Sequence, residues 1–143
     1  MNTARPWISH YEEGVPSSLA YPDQPLQHFL EAAARAHPDR VATVFFKGKL
    51  TYAQLNAQAD RFAAGLQSLG VKSGDRVAVF LPNSPQFIIA FYGALKAGAV
   101  VVPTNPLYTA DELARQVNDS GADTLVCLSR FWSTVDAARK TMK

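Results

Sequence analysis

Gly70, Gly98 and Gly121 each close a stretch of helical periodicity, and each leads within a few residues into a short apolar run: "RVAVFL", "AVVVP" and "TLVCL". A helix that stops at glycine and gives way to a strand, repeated at this spacing, fits successive βα units rather than a solenoid array. Runs as apolar as "AVVV" and "TLVCL" suit a parallel sheet buried on both faces. The expected fold is therefore α/β, a doubly wound, mainly parallel sheet with right-handed crossovers and flanking helices over residues 25–143. Residues 1–24 carry Pro6, Pro16 and Pro22 and no periodicity, and are expected to form an extended arm that wraps a surface with Trp7 and Tyr11.

Local signals fill in the elements. "LQHFLEAAARAH" has helical spacing and stops at Pro38. "VATVFF" and "LTY" flank "KGK", which predicts a hairpin turning at Gly48. Thr51 and Gln54 have the spacing of a capping box, and Leu55, Ala59, Phe62, Ala63, Leu66 and Leu69 share the face of the helix it opens. Ser84 and Pro85 supply an N-cap and first-turn pair for a helix that is apolar nearly all round, through Phe87, Ile88, Ile89, Phe91, Tyr92 and Leu95. Thr109 and Glu112 form a second capping box, and a last helix is expected from about Phe131. In a parallel sheet ligands meet the carboxyl ends of the strands. That rule singles out "LPNSP" at 81–85 and "PTNPLYT" at 103–109.

Composition narrows the function class. The 14 basic and 12 acidic residues are interspersed and leave a net charge of +2, so no basic stripe argues for nucleic acid. Cys127, the single cysteine, sits inside "TLVCL" and reads as a buried structural thiol, which leaves no disulfide framework. The N-terminus lacks the apolar core of a secretory signal. "FIIAFYGALKAGAVVV" is broken by Lys96 and Gly98 and fits a buried helix followed by a strand better than a membrane span. A cytoplasmic protein is expected.

Few catalytic motifs are present. No G-x-G-x-x-G follows a strand, "KGKLTY" lacks the spaced glycines of a phosphate loop, and no G-x-S-x-G is present. Ser120 in "NDSGA" reads as a helix-end residue. His10, His28 and His37 have no acidic partner at ligand spacing, and Asp111 with Glu112 occupies the first turn of a helix, where acids complement the dipole. The residues alone indicate no catalytic group and no metal site.

"LTYAQL" at 50–55 and "LKAGAVVVPTNP" at 95–106 resemble, in order and separation, the first two core motifs of the adenylate-forming enzymes. "NPLYTADELARQVNDSGA" and "WISHYEEGVP" are similar to the bacterial long-chain fatty acid CoA ligases, a narrower group within that superfamily. The resemblance runs from Trp7 to about Trp132. It implies the N-terminal subdomain of a longer enzyme that makes acyl-adenylate from a fatty acid and ATP, then acyl-CoA from CoA, with Mg2+ as cofactor. It also implies that the ATP phosphate loop, the ribose-binding aspartate and the catalytic lysine lie downstream of Lys143, so that 25–143 is an incomplete AMP-binding domain, inactive by itself. Under the same resemblance the loop carrying Asn105, Tyr108 and Thr109 faces the CoA side, whereas the residues alone also fit a plain connector stiffened by Pro103 and Pro106. Peripheral association with the inner membrane and a homodimer stay open, as do another acid substrate (aryl or amino acid) and a standalone interaction module without chemistry.

Overall fold

Val77, Ala78, Val79 and Phe80 are wholly buried, and the strand they form sends fully buried side chains into both faces of the main core. The computed structural model describes residues 5–143. Its elements are α1 (Gln27–Ala36), β1 (Val41–Phe45), β2 (Gly48–Thr51), α2 (Tyr52–Ser68), β3 (Arg76–Phe80), α3 (Pro85–Lys96), β4 (Val100–Pro103), α4 (Ala110–Ser120), β5 (Thr124–Cys127) and α5 (Trp132–Ala138), with 3-10 turns at Pro6–His10 and Ser129–Phe131.

β3 pairs in parallel with β4, from Arg76 opposite Val100 to Val79 opposite Pro103, and in parallel with β5, from Val77 opposite Thr124 to Phe80 opposite Cys127. The strand order is β4-β3-β5. Side chains alternate across a strand. Val77 and Val79 meet α2 and α3 through Ala63, Leu66, Ala90 and Ala94, while Ala78 and Phe80 meet α4 and α5 through Leu113, Val117, Val135 and Ala138. This is the doubly wound α/β layer that the glycine cadence predicts. A third, smaller cluster of Leu30, Leu55 and Ala59 sits where α1 and the β1–β2 hairpin pack on α2.

Several local expectations are corrected. β4 and β5 are not buried on both faces. Val100 is 50% exposed and Thr124 to Cys127 are half-buried, because each strand is an edge of a three-stranded sheet. The hairpin turns at Phe46 and Lys47 rather than at Gly48, which pairs with Phe45 inside the ladder. Phe46 takes the left-handed conformation, at φ 51°, with its side chain 90% exposed. Leu69 leaves the apolar face of α2 and is 82% exposed. The helix ends there, Gly70 turns left-handed at φ 95°, and Val71 donates its N–H to the Leu66 carbonyl and enters the core in place of Leu69. The arm holds a 3-10 turn, and Trp7 and Tyr11 are exposed instead of laid on a surface. Residues 1–4 of the arm lie outside the described residues.

Two short-range devices set the helices of the sheet. Both capping boxes form: Thr51 with Gln54, and Thr109 with Glu112. α3 meets α2 at Gly93, where an added Cβ would lie 2.8 Å from the Phe62 ring and 2.9 Å from the Ala59 carbonyl. The absence of a side chain lets the two backbones approach. Among the described residues no helix is long and apolar enough to cross a membrane.

Candidate functional site

Since β3, β4 and β5 run parallel and end nearly level, the segments that follow them, starting at Leu81, Thr104 and Leu128, share one edge of the sheet. The segment after β4 is the most thoroughly braced. Thr104 is buried, with its N–H donating to the Val79 carbonyl at 3.1 Å and its hydroxyl to the Val102 carbonyl at 3.0 Å. Asn105 then folds the chain back on itself. Its Oδ1 accepts from the Leu107 N–H at 3.1 Å and its carbonyl from the Tyr108 N–H at 3.1 Å, as short polar side chains do at turns. Asn105 is exposed, Tyr108 is half-buried against the Leu113 cluster, and Thr109 is the N-cap of α4. The three residues expected from the sequence are thus brought into one five-residue turn.

Thr109 is already occupied. Its N–H and its hydroxyl donate to Glu112 Oε2 at 2.9 and 2.8 Å, and the Glu112 N–H donates to Thr109 Oγ1 at 3.4 Å. The Thr109 N–H, then its hydroxyl, and more weakly the Arg115 charge hold the Glu112 carboxyl below the usual glutamate range. The positive end of α4 therefore carries a protein carboxylate, and an anion arriving on the helix axis would meet that charge. Asn105 Nδ2 and the Tyr108 hydroxyl are the polar groups of the turn not consumed by the box.

We expect Thr109→Ala to cost about 1 kcal/mol of stability near neutral pH, the ordinary value of an N-cap. The folded pKa of Glu112 lies below its unfolded one, so the part of the box made by its carboxylate is complete above the unfolded value and is lost as the pH falls through the folded one, while the bond from the Glu112 N–H to Thr109 Oγ1 stays. Urea denaturation of both proteins from neutral to acid pH should show the difference shrinking at the acid end. A difference that is constant with pH would separate Glu112 from the cap.

Two depressions flank this edge. One, of about 430 Å³, runs along α4 and is lined by Tyr108, Glu112, Arg115, Gln116 and Asp119. Neither Asn105 nor Thr109 reaches it. Glu112, Arg115, Gln116 and Asp119 recur at three- and four-residue spacing, a signal that marks one helix face, of which the capping pattern singles out Glu112 alone. The other, of about 310 Å³, lies between the hairpin and the start of α3 and is lined by Thr43, Val44, Phe45, Asn83, Ser84, Pro85, Phe87 and Ile88. Ser84 precedes α3 as expected but makes no capping bond, and its buried hydroxyl, like that of Thr43, has no partner. Nothing local in "PNSP" distinguishes this serine from a capping one. Cys127, at the end of β5, is half-buried, and burial raises its thiol above the usual range, which suits packing rather than reactivity.

Residues 30–143 match the protein family described as AMP-binding enzyme. The long-chain-fatty-acid–CoA ligase of Bacillus subtilis is 42% identical over 128 residues, which are 90% of this chain and 23% of that protein. Triostin synthetase I of Streptomyces triostinicus is 38% identical over 117 residues, 82% of this chain and 22% of that protein. Among solved structures, a long-chain-fatty-acid-CoA ligase from Archaeoglobus fulgidus superposes with a TM-score of 0.81 at 28% identity, over 92% of this chain and 28% of that one. The chain spans about a quarter of the length of the curated relatives it matches.

Proposed function

We propose, from the premise that the chain belongs to the AMP-binding enzyme family, that it is the N-terminal part of an ATP-dependent, AMP-forming long-chain fatty acid–CoA ligase. The observation that carries this reading is the 42% identity to a ligase of that name over 90% of the chain. A fold alone would not choose among acids. In the complete enzyme a fatty acid carboxylate attacks the α-phosphate of ATP and displaces diphosphate. The CoA thiol then attacks the acyl carbon and AMP leaves. We assign neither the ATP phosphates nor Mg2+ to this chain: it has no glycine-rich phosphate loop, and among the described residues no group of three His, Cys, Asp or Glu could hold a metal ion. A cytoplasmic setting follows from the ATP and CoA that the reaction consumes.

The share of the reaction we give to this chain is the CoA side of the site. CoA carries phosphates and the acyl chain does not. Since Glu112 already neutralises the start of α4, Asn105 Nδ2 and the Tyr108 hydroxyl are the donors we place against CoA, with Thr109 holding the turn in shape. In the complete enzyme, Asn105→Ala or Tyr108→Phe is expected to leave diphosphate release without CoA near wild type. The KM for CoA should rise by roughly tenfold or more, as one lost hydrogen bond to a charged group costs about 1.5 to 3 kcal/mol. Equal losses in adenylation and thioester formation, together with a lower melting temperature, would make the turn a connector.

A second reading, adenylation of a different acid, is favoured by the likeness to a benzoate CoA ligase from Burkholderia xenovorans, 26% identical with a TM-score of 0.78 over 82% of this chain. Diphosphate release measured with a long-chain fatty acid, an aryl acid and an amino acid on one preparation separates the two.

A further inference from the structure

α3 ends on a lysine that the fold buries. The Lys96 side chain is 8% exposed, with Nζ 3.1 Å from Glu31 Oε1 on α1 and 2.6 Å from Asp60 Oδ1 on α2. Asn56, one turn before Asp60, donates Nδ2 to the other Asp60 oxygen at 3.0 Å. A lysine stripped of water to this degree is retained only where carboxylates replace its hydration, and here the two carboxylates come from different helices. One ammonium group joins α1, α2 and α3 at a single point.

The same lysine stands four residues before β4, and each residue between them is pinned. The Ala97 N–H donates to the Gly93 carbonyl at 2.9 Å. Gly98 turns left-handed at φ 85°, so close to Ser73 that a Cβ would lie 3.0 Å from its Oγ, and its carbonyl accepts from Gly74 at 2.9 Å. The Ala99 N–H donates to the Ala94 carbonyl at 3.0 Å, and the Val100 N–H, opening β4, donates to the Asp75 carbonyl at 2.8 Å. No slack remains between the ion pairs and the strand.

We propose that Lys96 is a positioning residue: its ion pairs to Glu31 and Asp60 set where α3 rests on α1 and α2, and through the pinned turn at 97–99 they set the level of β4 and of the 104–109 segment at its far end. It also joins the two motif-bearing segments, because "LTYAQL" opens the helix that carries Asp60 and "LKAG" supplies the lysine. The inference concerns geometry and stands whichever acid the complete enzyme adenylates.

Amide hydrogen exchange by NMR on this chain tests it, comparing wild type with Lys96→Met, Lys96→Arg and Asp60→Asn. In Lys96→Met the amides of Val100, Val102 and Thr104, which face β3, should exchange about tenfold faster or more, with those of Leu113 to Val117 on the opposite face unchanged. Asp60→Asn should move the same amides by less, and Lys96→Arg, which keeps the charge, should restore most of the protection. If Lys96→Met does not fold, the milder Asp60→Asn carries the comparison. Faster exchange confined to α1 would reduce the cluster to a tether for that helix. A uniform rise across the chain, or no change, would also overturn the proposal.

Discussion

Phe80→Ala is expected to lower the stability of the chain by about 3 to 5 kcal/mol, the range for truncating a buried aromatic ring. Phe80 is fully buried at the carboxyl end of the central strand, with its ring centroid 5.2 Å from that of Phe131. The cavity it leaves cannot readily close. β3 is held by ladders on both sides, and several neighbours on that face, Ala78, Ala114, Ala122 and Ala138, are too small to reach into the space. Domains of this size are stable by only about 5 to 15 kcal/mol, so the substitution should remove a large share of the total. Urea unfolding should show a lower midpoint at an unchanged slope. A change below about 1 kcal/mol would contradict the packing described around this ring.

The opposite error in volume should be comparably harmful at Gly93. Gly93→Val places its first carbon 2.9 Å from the Ala59 carbonyl and 2.8 Å from the Phe62 ring. The ring can rotate away, but the carbonyl belongs to α2 and moves only with the helix. Overpacking of this kind costs about 1 to 3 kcal/mol, and the backbone contact argues for the upper end. Gly65→Ala on the exposed face of α2 is the control, because nothing lies within 4 Å of the added carbon. Helix propensity alone should then stabilise by roughly up to 1 kcal/mol. Thermal melts of the two variants should move in opposite directions, and a Gly93→Val protein as stable as wild type would mean that α2 and α3 do not approach as closely as described.

Much of the fold could be read from the chain because its signals are local. Thr51 with Gln54 and Thr109 with Glu112 are three residues apart, and Gly70, Gly98 and Gly121 stand where the helices end. What escaped depends on distant neighbours. "AVVV" and "TLVCL" are as apolar as a central strand, and only the order β4-β3-β5 reveals them as edges. The Phe46 turn escaped because glycine is the usual residue at positive φ, and here a bulky side chain takes that place while Gly48 enters the ladder. Lys96 read as an interruption of an apolar tract because its partners Glu31 and Asp60 are 65 and 36 residues away. At the carboxyl edge the turn of Asn105, Tyr108 and Thr109 was legible from its polar side chains and its cap. The unpartnered hydroxyls of Thr43 and Ser84 were not, since the two residues come to line one depression only when the hairpin folds over the start of α3.

The two edges of the sheet are unlike, and that has a consequence for association. Among the described residues β4 and β5 each pair with β3 on one side alone, and both run in the same direction. Their outer rows of amides and carbonyls are templates for a further strand. Two copies joined β5 to β4 would continue the sheet with every strand parallel, in a head-to-tail contact that leaves one free edge of each kind. Such a contact generates open filaments unless its rotation closes a ring. Open growth of this kind needs both edges: a cap on β5 alone, or on β4 alone, removes one half of the repeating contact and ends it.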